Sequence, residues 1–337
     1  MAGLRRPPAV ARVLQRVTRT LRVHEMVAPG DRVLVSVSGG PDSVCLLYSM
    51  WHLRRLFQMH LEVFTFDHRL REDSGADVAY VRRLSARLRL PLHVEEAQDE
   101  PAKGRSVEAW ATDARSNSAN DVRRAIGAAS VAEGHTQDDQ AETVLLNLFR
   151  GTGLEGLAGI DPGTWPGSKL IQPLLDVTRT ETEAFCRALH LRPRSDPMNE
   201  DRRYLRAAIR HDVLPTIERV TGREVRAAIA RSADLIRGDR DELYAIAVSA
   251  YGAVVNDEPG AAIRFDAKAL RDLPTPVASR VIRMAVYGAL STEWAAPWSR
   301  EAIEAVLDLA RGRPGRRRDL PDSRTARRDR THVVIGG

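Results

Sequence analysis

The chain has 337 residues, of which 43% are hydrophobic and 28% are charged, and its formal net charge is +6. This composition excludes an intrinsically disordered chain, and the length suits about two domains, each with a substantial core. No apolar run is long enough to span a bilayer, and the basic N-terminus lacks the continuous apolar segment of a secretory signal. The two cysteines, Cys45 and Cys186, match no paired metal-binding pattern, so we expect reduced thiols in a cytoplasmic protein without membrane contact.

Strand-like and helix-like segments alternate up to residue 175. Apolar runs predict strands at 31–37 and 61–67, with weaker candidates at 91–96 and 129–134. Helical periodicity fills the connections, and the predicted helices are 42–56, 75–88, 107–125 and 139–149. Such alternation predicts an α/β fold on a doubly wound, mostly parallel sheet, in which ligands bind at the carboxyl ends of the strands.

Beyond residue 176 the pattern becomes mainly helical. It follows a segment at 151–169 that is rich in glycine and proline and predicts a long loop. The later predicted helices are 179–189, 204–220, 224–255, 276–290 and 299–310, with a short strand at 261–266 and a small hairpin at the end. We therefore predict two domains, an α/β domain at 1–220 and a smaller, mainly helical domain at 221–337.

The sequence VLVSVSGGPDSVCLL, at 33–47, combines a strand, a glycine turn and the start of a helix. Gly39 and Gly40 let the backbone turn tightly and expose its N–H groups, while Pro41 suits the first position of a helix. Free N–H groups and the dipole at a helix N-terminus favour an anion such as phosphate. Because Asp42 would repel phosphate unless a metal lay between them, we interpret it as a magnesium ligand. Simple helix capping is the alternative.

The SGGxDS loop after the first strand resembles that of the N-type ATP pyrophosphatases, the PP-loop family. These enzymes cleave ATP between its α and β phosphates and leave AMP on a carbonyl oxygen. The family includes GMP synthetase, argininosuccinate synthetase, tRNA thiolases and tRNA(Ile)-lysidine synthetases. The resemblance implies a Rossmann-like fold of the adenine nucleotide α-hydrolase type, with ATP as a substrate and Mg²⁺ as a cofactor.

Four further segments resemble the tRNA(Ile)-lysidine synthetase branch of that family. FTFDHRLREDS at 64–74 is similar to V-D-H-x-L-R-x-x-S. GHTQDDQAETVLLNLFRGTGLEGLAGI at 134–160 is similar to H-x-x-D-D-Q-x-E-T followed by R-G-S/T-G-x-x-G-L. IQPLLDVTRTE at 171–181 and the stretch at 196–215 resemble an R-P-L-L motif and a D-x-x-N…Y-x-R-N-x-I-R motif.

The resemblance implies a role for each matched residue. ATP would contact Ser38, Gly39, Gly40, Pro41, Asp42, Ser43, Asp67, His68 and His135, with Asp42 and Asp138 near the metal. Free lysine would contact Asp139, Glu142, Asp176 and Arg206. The candidate catalytic residues are Asp42, Arg115, His135 and Asp139, and the candidate tRNA contacts are Arg210, Arg316, Arg317 and Arg318.

Positive charge is concentrated near the C-terminal end. Residues 311–330 contain nine arginines and three aspartates, a surplus equal to that of the whole chain. Such a cluster favours a polyanionic partner. A coding preference for arginine over lysine is the alternative explanation, but it does not account for the clustering. The resemblance to short actinobacterial-type members implies that the partner is tRNA(Ile) with a CAU anticodon.

Other interpretations are compatible with parts of the sequence. Asp139 could cap a helix, with Glu142 closing a capping box. The segment VEAWATDARSNS, at 107–118, resembles the family pattern E-A-x-A-R-x-A-R-Y and keeps Arg115, but it departs from that pattern at Thr112 and Ser116. Gln172 and Ala207 are further departures. A tRNA thiolase and a non-catalytic tRNA-binding homologue are therefore the alternatives, although the two isolated cysteines argue against a thiolase.

The implied reaction has two steps. The oxygen at position 2 of the wobble cytidine attacks the α-phosphate of ATP, and pyrophosphate leaves. The ε-amine of free L-lysine then attacks the activated carbon, AMP departs and lysidine forms. Because carboxylates favour the ammonium form of lysine, we expect positioning to be the main role of Asp139 and Glu142. A homodimer is one assembly that we consider.

Overall fold

The computed structural model describes residues 6–70, 74–102, 106–163, 168–194, 202, 205–256, 262–290 and 298–336. Two parts of the matched segments lie outside the described residues. These are residues 71–73 of FTFDHRLREDS and the D-x-x-N positions at 196–199. The chain divides into two compact units, Met1–Asp234 and Leu235–Gly337. The assignment of 1–220 to catalysis and 221–337 to tRNA binding stays a prediction.

The first unit is built on a five-stranded parallel sheet in the order β3-β2-β1-β4-β5. The strands are β1 Arg32–Ser36, β2 His60–Asp67, β3 Leu92–Glu96, β4 Ser130–Ala132 and β5 Leu170–Ile171. The central residues of β1 are fully buried because neighbouring strands and helices on both faces cover them. The predicted parallel sheet is confirmed. The short strand β5 was not predicted, since two residues carry no periodic signal.

The helices of the first unit are α1 Pro8–Val23, α2 Pro41–Leu53, α3 Ser74–Leu88, α4 Val107–Ala125, α5 Gln137–Phe149, α6 Leu154–Leu157, α7 Arg179–Ala188, α8 Leu205–Ala208 and α9 Leu214–Thr221. Helix α10 Arg226–Val254 contains residues of both units, and its later part packs in the core of the second. A single π-helical turn, Ile209–Val213, joins α8 to α9. Helix α1 was not predicted, although Val10, Leu14, Val17 and Leu21 form a buried stripe at helical spacing.

The second unit combines helices with an antiparallel sheet. Its further helices are α11 Ala267–Asp272, α12 Thr275–Leu290 and α13 Arg300–Arg311. Its strands are β6 Val255–Asn256, β7 Ile263–Asp266, β8 Arg317–Asp319, β9 Thr325–Arg328 and β10 His332–Gly336, in the order β6-β7-β10-β9-β8. The predicted strand near 263 and the terminal hairpin are confirmed. Their union in one five-stranded sheet, packed with α12 and α13 around Phe265 and Ile335, was not foreseen.

The strand order determines where a ligand can bind. From β1 the chain passes first to β2 and β3 on one side, and later to β4 and β5 on the other. The connections therefore diverge between β1 and β4, and the crevice at their carboxyl ends is the expected ligand site of such a sheet. Both the glycine loop and the segment at 133–136 leave the sheet at that edge. Among the described residues, no helix combines the length and apolar character needed to cross a bilayer.

Candidate active site

The glycine loop connects β1 to α2 and is held by a serine hydroxyl. Oγ of Ser43 accepts the N–H groups of Ser38 and Gly39, both at 3.2 Å, and donates to the carbonyl of Gly40 at 3.0 Å. Gly39 has φ +94°, a conformation that disfavours a side chain. The first bond within α2 joins the N–H of Val44 to the Gly40 carbonyl. The amides of the preceding first turn thus have no partner in the helix, as an anion site requires.

A second glycine brings the neighbouring strand exit against this loop. A Cβ at Gly134 would lie 3.3 Å from the backbone of Asp42 and Ser43. Any larger residue would therefore push the exit of β4 away from the first turn of α2. Gly134 was part of the matched signature, but its role in this close approach appears only in three dimensions.

Asp42 projects from the first turn of α2 into a network that includes α7. Its carboxylate accepts a hydrogen bond from the Thr182 hydroxyl, and its Oδ2 lies 3.6 Å from Nε of Arg179. Burial raises the pKa of Asp42 to about 6, and the charge of Asp139 adds to the shift. Arg179 and Thr182 only partly offset these effects. A carboxyl group so placed would gain from a further cation.

Asp139 is the better stabilised of the two aspartates. Its Oδ2 accepts the N–H of Thr136 at 2.8 Å and the Thr136 hydroxyl at 2.7 Å. Thr136 is thus the N-cap of α5 and Asp139 closes the capping box, whereas the sequence suggested Asp139 as the cap and Glu142 as its partner. Burial opposes ionisation of Asp139, but Arg179, His135 and the bonds from Thr136 outweigh it and lower its pKa to about 2.

Glu142 is fully buried and lies one turn further along α5. Arg210 binds it through two nitrogens, with Nε 2.7 Å from Oε1 and Nη2 2.8 Å from Oε2. Nε of Arg206 lies 3.7 Å from Oε2, while Nη2 of Arg206 donates to the Thr143 hydroxyl at 2.6 Å. Arg210, a predicted tRNA contact, is therefore engaged inside the site, and its contact with tRNA stays a prediction.

Arg179 is a site residue that the sequence analysis did not predict. Nη2 of Arg179 lies 3.0 Å from Oδ1 of Asp139, and Nη1 lies 3.4 Å from Oε1 of Glu142. With Nε facing Asp42, one guanidinium contacts three carboxylates. A signal was present, since Arg179 occupies the first helical position after Thr178 in the matched segment 171–181. Charge balance alone would have suggested a cation for so many acids.

Asp138 and Asp176 face structural partners. Oδ2 of Asp138 accepts the N–H of Arg179 at 2.8 Å, and its Oδ1 lies 3.4 Å from Nε of Arg226. Asp176 accepts the hydroxyl of Thr20 on α1 at 2.9 Å. The metal role of Asp138 and the lysine role of Asp176 stay predictions.

A second cluster surrounds His135. Nδ1 of His135 lies 3.0 Å from the side-chain oxygen of Gln172 and 3.7 Å from Glu133. Arg115 approaches the same Glu133 at 3.7 Å. Burial opposes the charge of Glu133, but Arg115, His135 and Gln172 outweigh it and lower its pKa. Gln172, a departure from the family pattern, thus holds the imidazole, and Glu133 was not predicted as a site residue.

Two polar atoms of this cluster are buried and have capacity for a ligand. Within the described part of the chain, Nε of Arg115 and Oε1 of Glu133 have no hydrogen-bond partner.

At the end of β2, Asp67 accepts the N–H of Arg69 at 2.8 Å. The ring of His68 packs edge-on near Trp110, with centroids 6.4 Å apart.

The donor set suits a metal that arrives with a nucleotide. The described residues contain no group of three or more His, Cys, Asp or Glu side chains able to bind a metal ion. Mg²⁺ bound to ATP needs only one or two carboxylates, because phosphate oxygens and waters complete its octahedron. Asp42, next to the glycine loop, fits that requirement.

The predicted tRNA contacts of the basic segment lie in the second unit. Arg317 and Arg318 are on β8, which is exposed along its length, and Arg316 precedes it. Arg317 lies 3.6 Å from Asp319, an exposed pair of little energetic weight. Most of the guanidinium charge on β8 is therefore directed to solvent.

Comparisons with known proteins now identify the family. The model of the PP-loop domain family matches residues 11–217. The tRNA(Ile)-lysidine synthase of Cutibacterium acnes is 35% identical over 328 residues, covering 96% of each chain. The chain belongs to the tRNA(Ile)-lysidine synthase family. The synthase of Symbiobacterium thermophilum is 37% identical over 308 residues, and the match covers 88% of this chain but 63% of that longer relative.

A solved structure supports the fold alone. The U34-tRNA thiolase NcsA from Methanococcus maripaludis superposes with a TM-score of 0.58 at 18% identity, covering 68% of this chain and 80% of that one. The thiol groups of this chain do not favour the thiolase alternative. Burial raises the pKa of Cys186 to about 12 and that of Cys45 well above its ordinary value, so both thiols are protonated and enclosed.

Proposed function

We propose that this chain ligates lysine to carbon 2 of the wobble cytidine of tRNA(Ile) through an adenylated intermediate, releasing pyrophosphate and AMP. The observation that carries the proposal is the position of the glycine loop beside the acids of α5, with Arg179 contacting both. A phosphate site and an amine site would then meet at the carboxyl ends of β1 and β4. Residues 1–220 would perform catalysis and residues 221–337 would bind tRNA.

In the first step, the loop would bind the phosphates of ATP. The amides at the start of α2 supply donors to the leaving pyrophosphate, and the helix dipole adds to their effect. Mg²⁺ would neutralise phosphate charge, with Asp42 as its protein ligand. Arg115 and His135, oriented through Glu133 and Gln172, are the residues that would contact the reacting phosphate or base.

In the second step, the site must hold lysine without trapping its ammonium form. Free lysine titrates near pH ~10.4, and unbalanced carboxylates would raise that value further. Here Arg210 pairs with Asp139 and Glu142, which makes the local potential less negative. The acids would therefore position the amine at a smaller electrostatic cost, while Arg206 would take the lysine carboxylate.

Binding of tRNA would rely on the basic segment of the second unit. Nine arginines between 311 and 330 would displace counterions from the tRNA backbone, so affinity should fall steeply with salt. Changing Arg316, Arg317 and Arg318 together to serine should reduce the slope of log affinity against log salt, by about 0.7 to 0.9 per lost contact. Filter binding at several salt concentrations measures this slope. A homodimer stays a prediction that light scattering would test.

The decisive experiment measures AMP release from ATP with lysine and tRNA(Ile) omitted in turn, together with the mass of the anticodon nucleoside. We expect AMP release only with both substrates, and a cytidine whose mass increases by one lysine residue. Modification in the absence of lysine, or a sulfur-containing product, would favour a thiolase. No AMP release under any condition would support a non-catalytic tRNA-binding protein.

A further inference from the structure

Arg179 is the one described side chain that contacts carboxylates on both sides of the proposed site. Each of its three guanidinium nitrogens faces a different acid, with Nε toward Asp42, Nη2 toward Asp139 and Nη1 toward Glu142. Asp42 belongs to the nucleotide side, at the start of α2. Asp139 and Glu142 belong to the amine side, on α5. One positive charge thus faces acids on α2 and on α5.

The contacts of Arg179 are weaker than those of its neighbour. Its nitrogen–oxygen distances are 3.0, 3.4 and 3.6 Å, each to a different carboxylate. Arg210, in contrast, holds Glu142 through two bonds of 2.7 and 2.8 Å. Bidentate pairs are the stronger arrangement. If a new cation enters between Asp139 and Glu142, Arg179 is therefore the partner that gives way.

The backbone of Arg179 is fixed independently of its guanidinium. Its N–H donates to Asp138, and the capping box of Thr178 and Glu181 begins α7 at this residue. Thr182, three residues later on the same helical face, holds Asp42. Loss of the ion pairs with α5 would leave Arg179 beside Asp42 and the phosphate loop. Its side chain can change partners while α7 keeps its place.

We infer that Arg179 is a positioning residue that couples the lysine and ATP sites, so that each substrate tightens the binding of the other. The lysine ammonium takes over the charge of Asp139 and Glu142, and the released guanidinium turns its full charge to Asp42 and the triphosphate. By linkage, ATP must strengthen lysine binding by the same factor. This inference rests on the proposed function, because it assigns lysine and ATP to the two sides.

The test is a binding cycle on the full chain. Isothermal titration calorimetry measures the Kd of an α,β-methylene ATP analogue with Mg²⁺, in the absence and presence of saturating lysine. For the unaltered chain we expect lysine to tighten the analogue about 10-fold, within the usual range of coupling. In Arg179→Gln the tightening should fall to less than about 2-fold. Arg187→Gln, at the exposed end of the same helix, should keep the full factor.

A second substitution of the same residue, Arg179→Lys, keeps the test informative if Arg179→Gln does not fold. Arg179→Lys retains a charge, but a single ammonium cannot face three carboxylates at once, so it should show an intermediate tightening of about 3-fold. Full tightening in either folded variant would overturn the inference, and so would its absence in the unaltered chain. If the unaltered chain forms lysidine while Arg179→Gln keeps the coupling, only this inference fails. If the unaltered chain binds no lysine, the proposed function fails.

Discussion

Helices α2 and α5 each begin after a parallel strand, and the first turn of each places an aspartate beside Arg179. The pKa values of these two aspartates, Asp42 and Asp139, are nevertheless shifted in opposite directions. Burial and the charge of Asp139 raise the pKa of Asp42 to about 6. Burial acts on Asp139 too, but Arg179, His135 and two bonds from Thr136 outweigh it and lower its pKa to about 2. The number of donors aimed at a buried acid, more than burial itself, decides its charge.

This difference separates a carboxylate whose charge the protein itself stabilises, Asp139, from one that it leaves partly unpaired, Asp42. Asp139 has its partners within the protein, so its ionised form contributes to folding. Asp42 is left with an incomplete set of partners, which costs stability and favours an incoming cation. Such an arrangement is expected where binding residues are selected for function at the expense of stability.

The largest expected effect is on the second half-reaction. In the proposed reaction Asp139→Asn would remove the charge that orients lysine, and it should lower lysidine formation roughly 100-fold, while ATP–pyrophosphate exchange changes less than about 3-fold. Labelled lysine incorporation and labelled pyrophosphate exchange measure the two steps separately. Asp121→Asn, an exposed change on α4, is the matched control. Equal loss of both half-reactions would show that Asp139 is not specific to the lysine-transfer step.

The next effect concerns the stability of the ligand-free protein. Because the folded pKa of Asp42 is about 6 against 3.8 for the ordinary group, the folded state loses stability as pH rises from 4 to 6. Asp42→Asn should therefore stabilise the protein by about 3 kcal/mol at pH 8, and this gain should vanish near pH 4. Urea denaturation at both pH values provides the comparison. A variant that is less stable at pH 8 would contradict the incomplete pairing of Asp42.

Asp139→Asn should have the opposite sign. The folded pKa of Asp139 is about 2 against 3.8, so its contribution is present above pH 4 and is lost as pH falls toward 2. At pH 7 the variant should lose about 2 kcal/mol in the free energy of unfolding. Its stability curve should converge with that of the unaltered chain in strong acid. Parallel curves across that range would mean that the charge of Asp139 contributes nothing to folding.

The smallest effects come from the two threonines. Thr136→Val and Thr182→Val each remove one hydroxyl donor to Asp139 or Asp42, and each should cost about 1 kcal/mol. Thermal melts measure the cost. The two variants should differ in function, because Thr136→Val loosens the amine side and Thr182→Val the nucleotide side. KM for lysine should rise in the first and KM for ATP in the second. If KM for ATP rose in Thr136→Val and KM for lysine rose in Thr182→Val, the assignment of the amine to α5 and of the nucleotide to α2 would be wrong.

Local sequence patterns were enough to predict the fold of the first unit and the family of this protein. The glycine turn before Asp42, the alternation of strands and helices and the signature at 134–160 each depend on residues close together in the chain. They predicted the parallel sheet and the family, and the phosphate-binding role of the glycine loop stays a prediction. They also predicted the short strand near 263 and the terminal hairpin, but not β6, β8 or the second sheet itself, because pairing between β7 and β10 joins distant segments.

Only the tertiary structure decided how the charged residues pair. Arg179 meets Asp139 across 40 positions of sequence, and Thr182 meets Asp42 across 140. No periodicity records such contacts, because they depend on the strand order that brings β1 beside β4 and places α7 against α2. The sequence by itself identified the glycine loop and the acids Asp42, Asp139 and Glu142, but not Glu133. Their pKa values, their shared guanidinium and the role of Gly134 in bringing them together arise from packing, since charge and distance act through space and not along the chain.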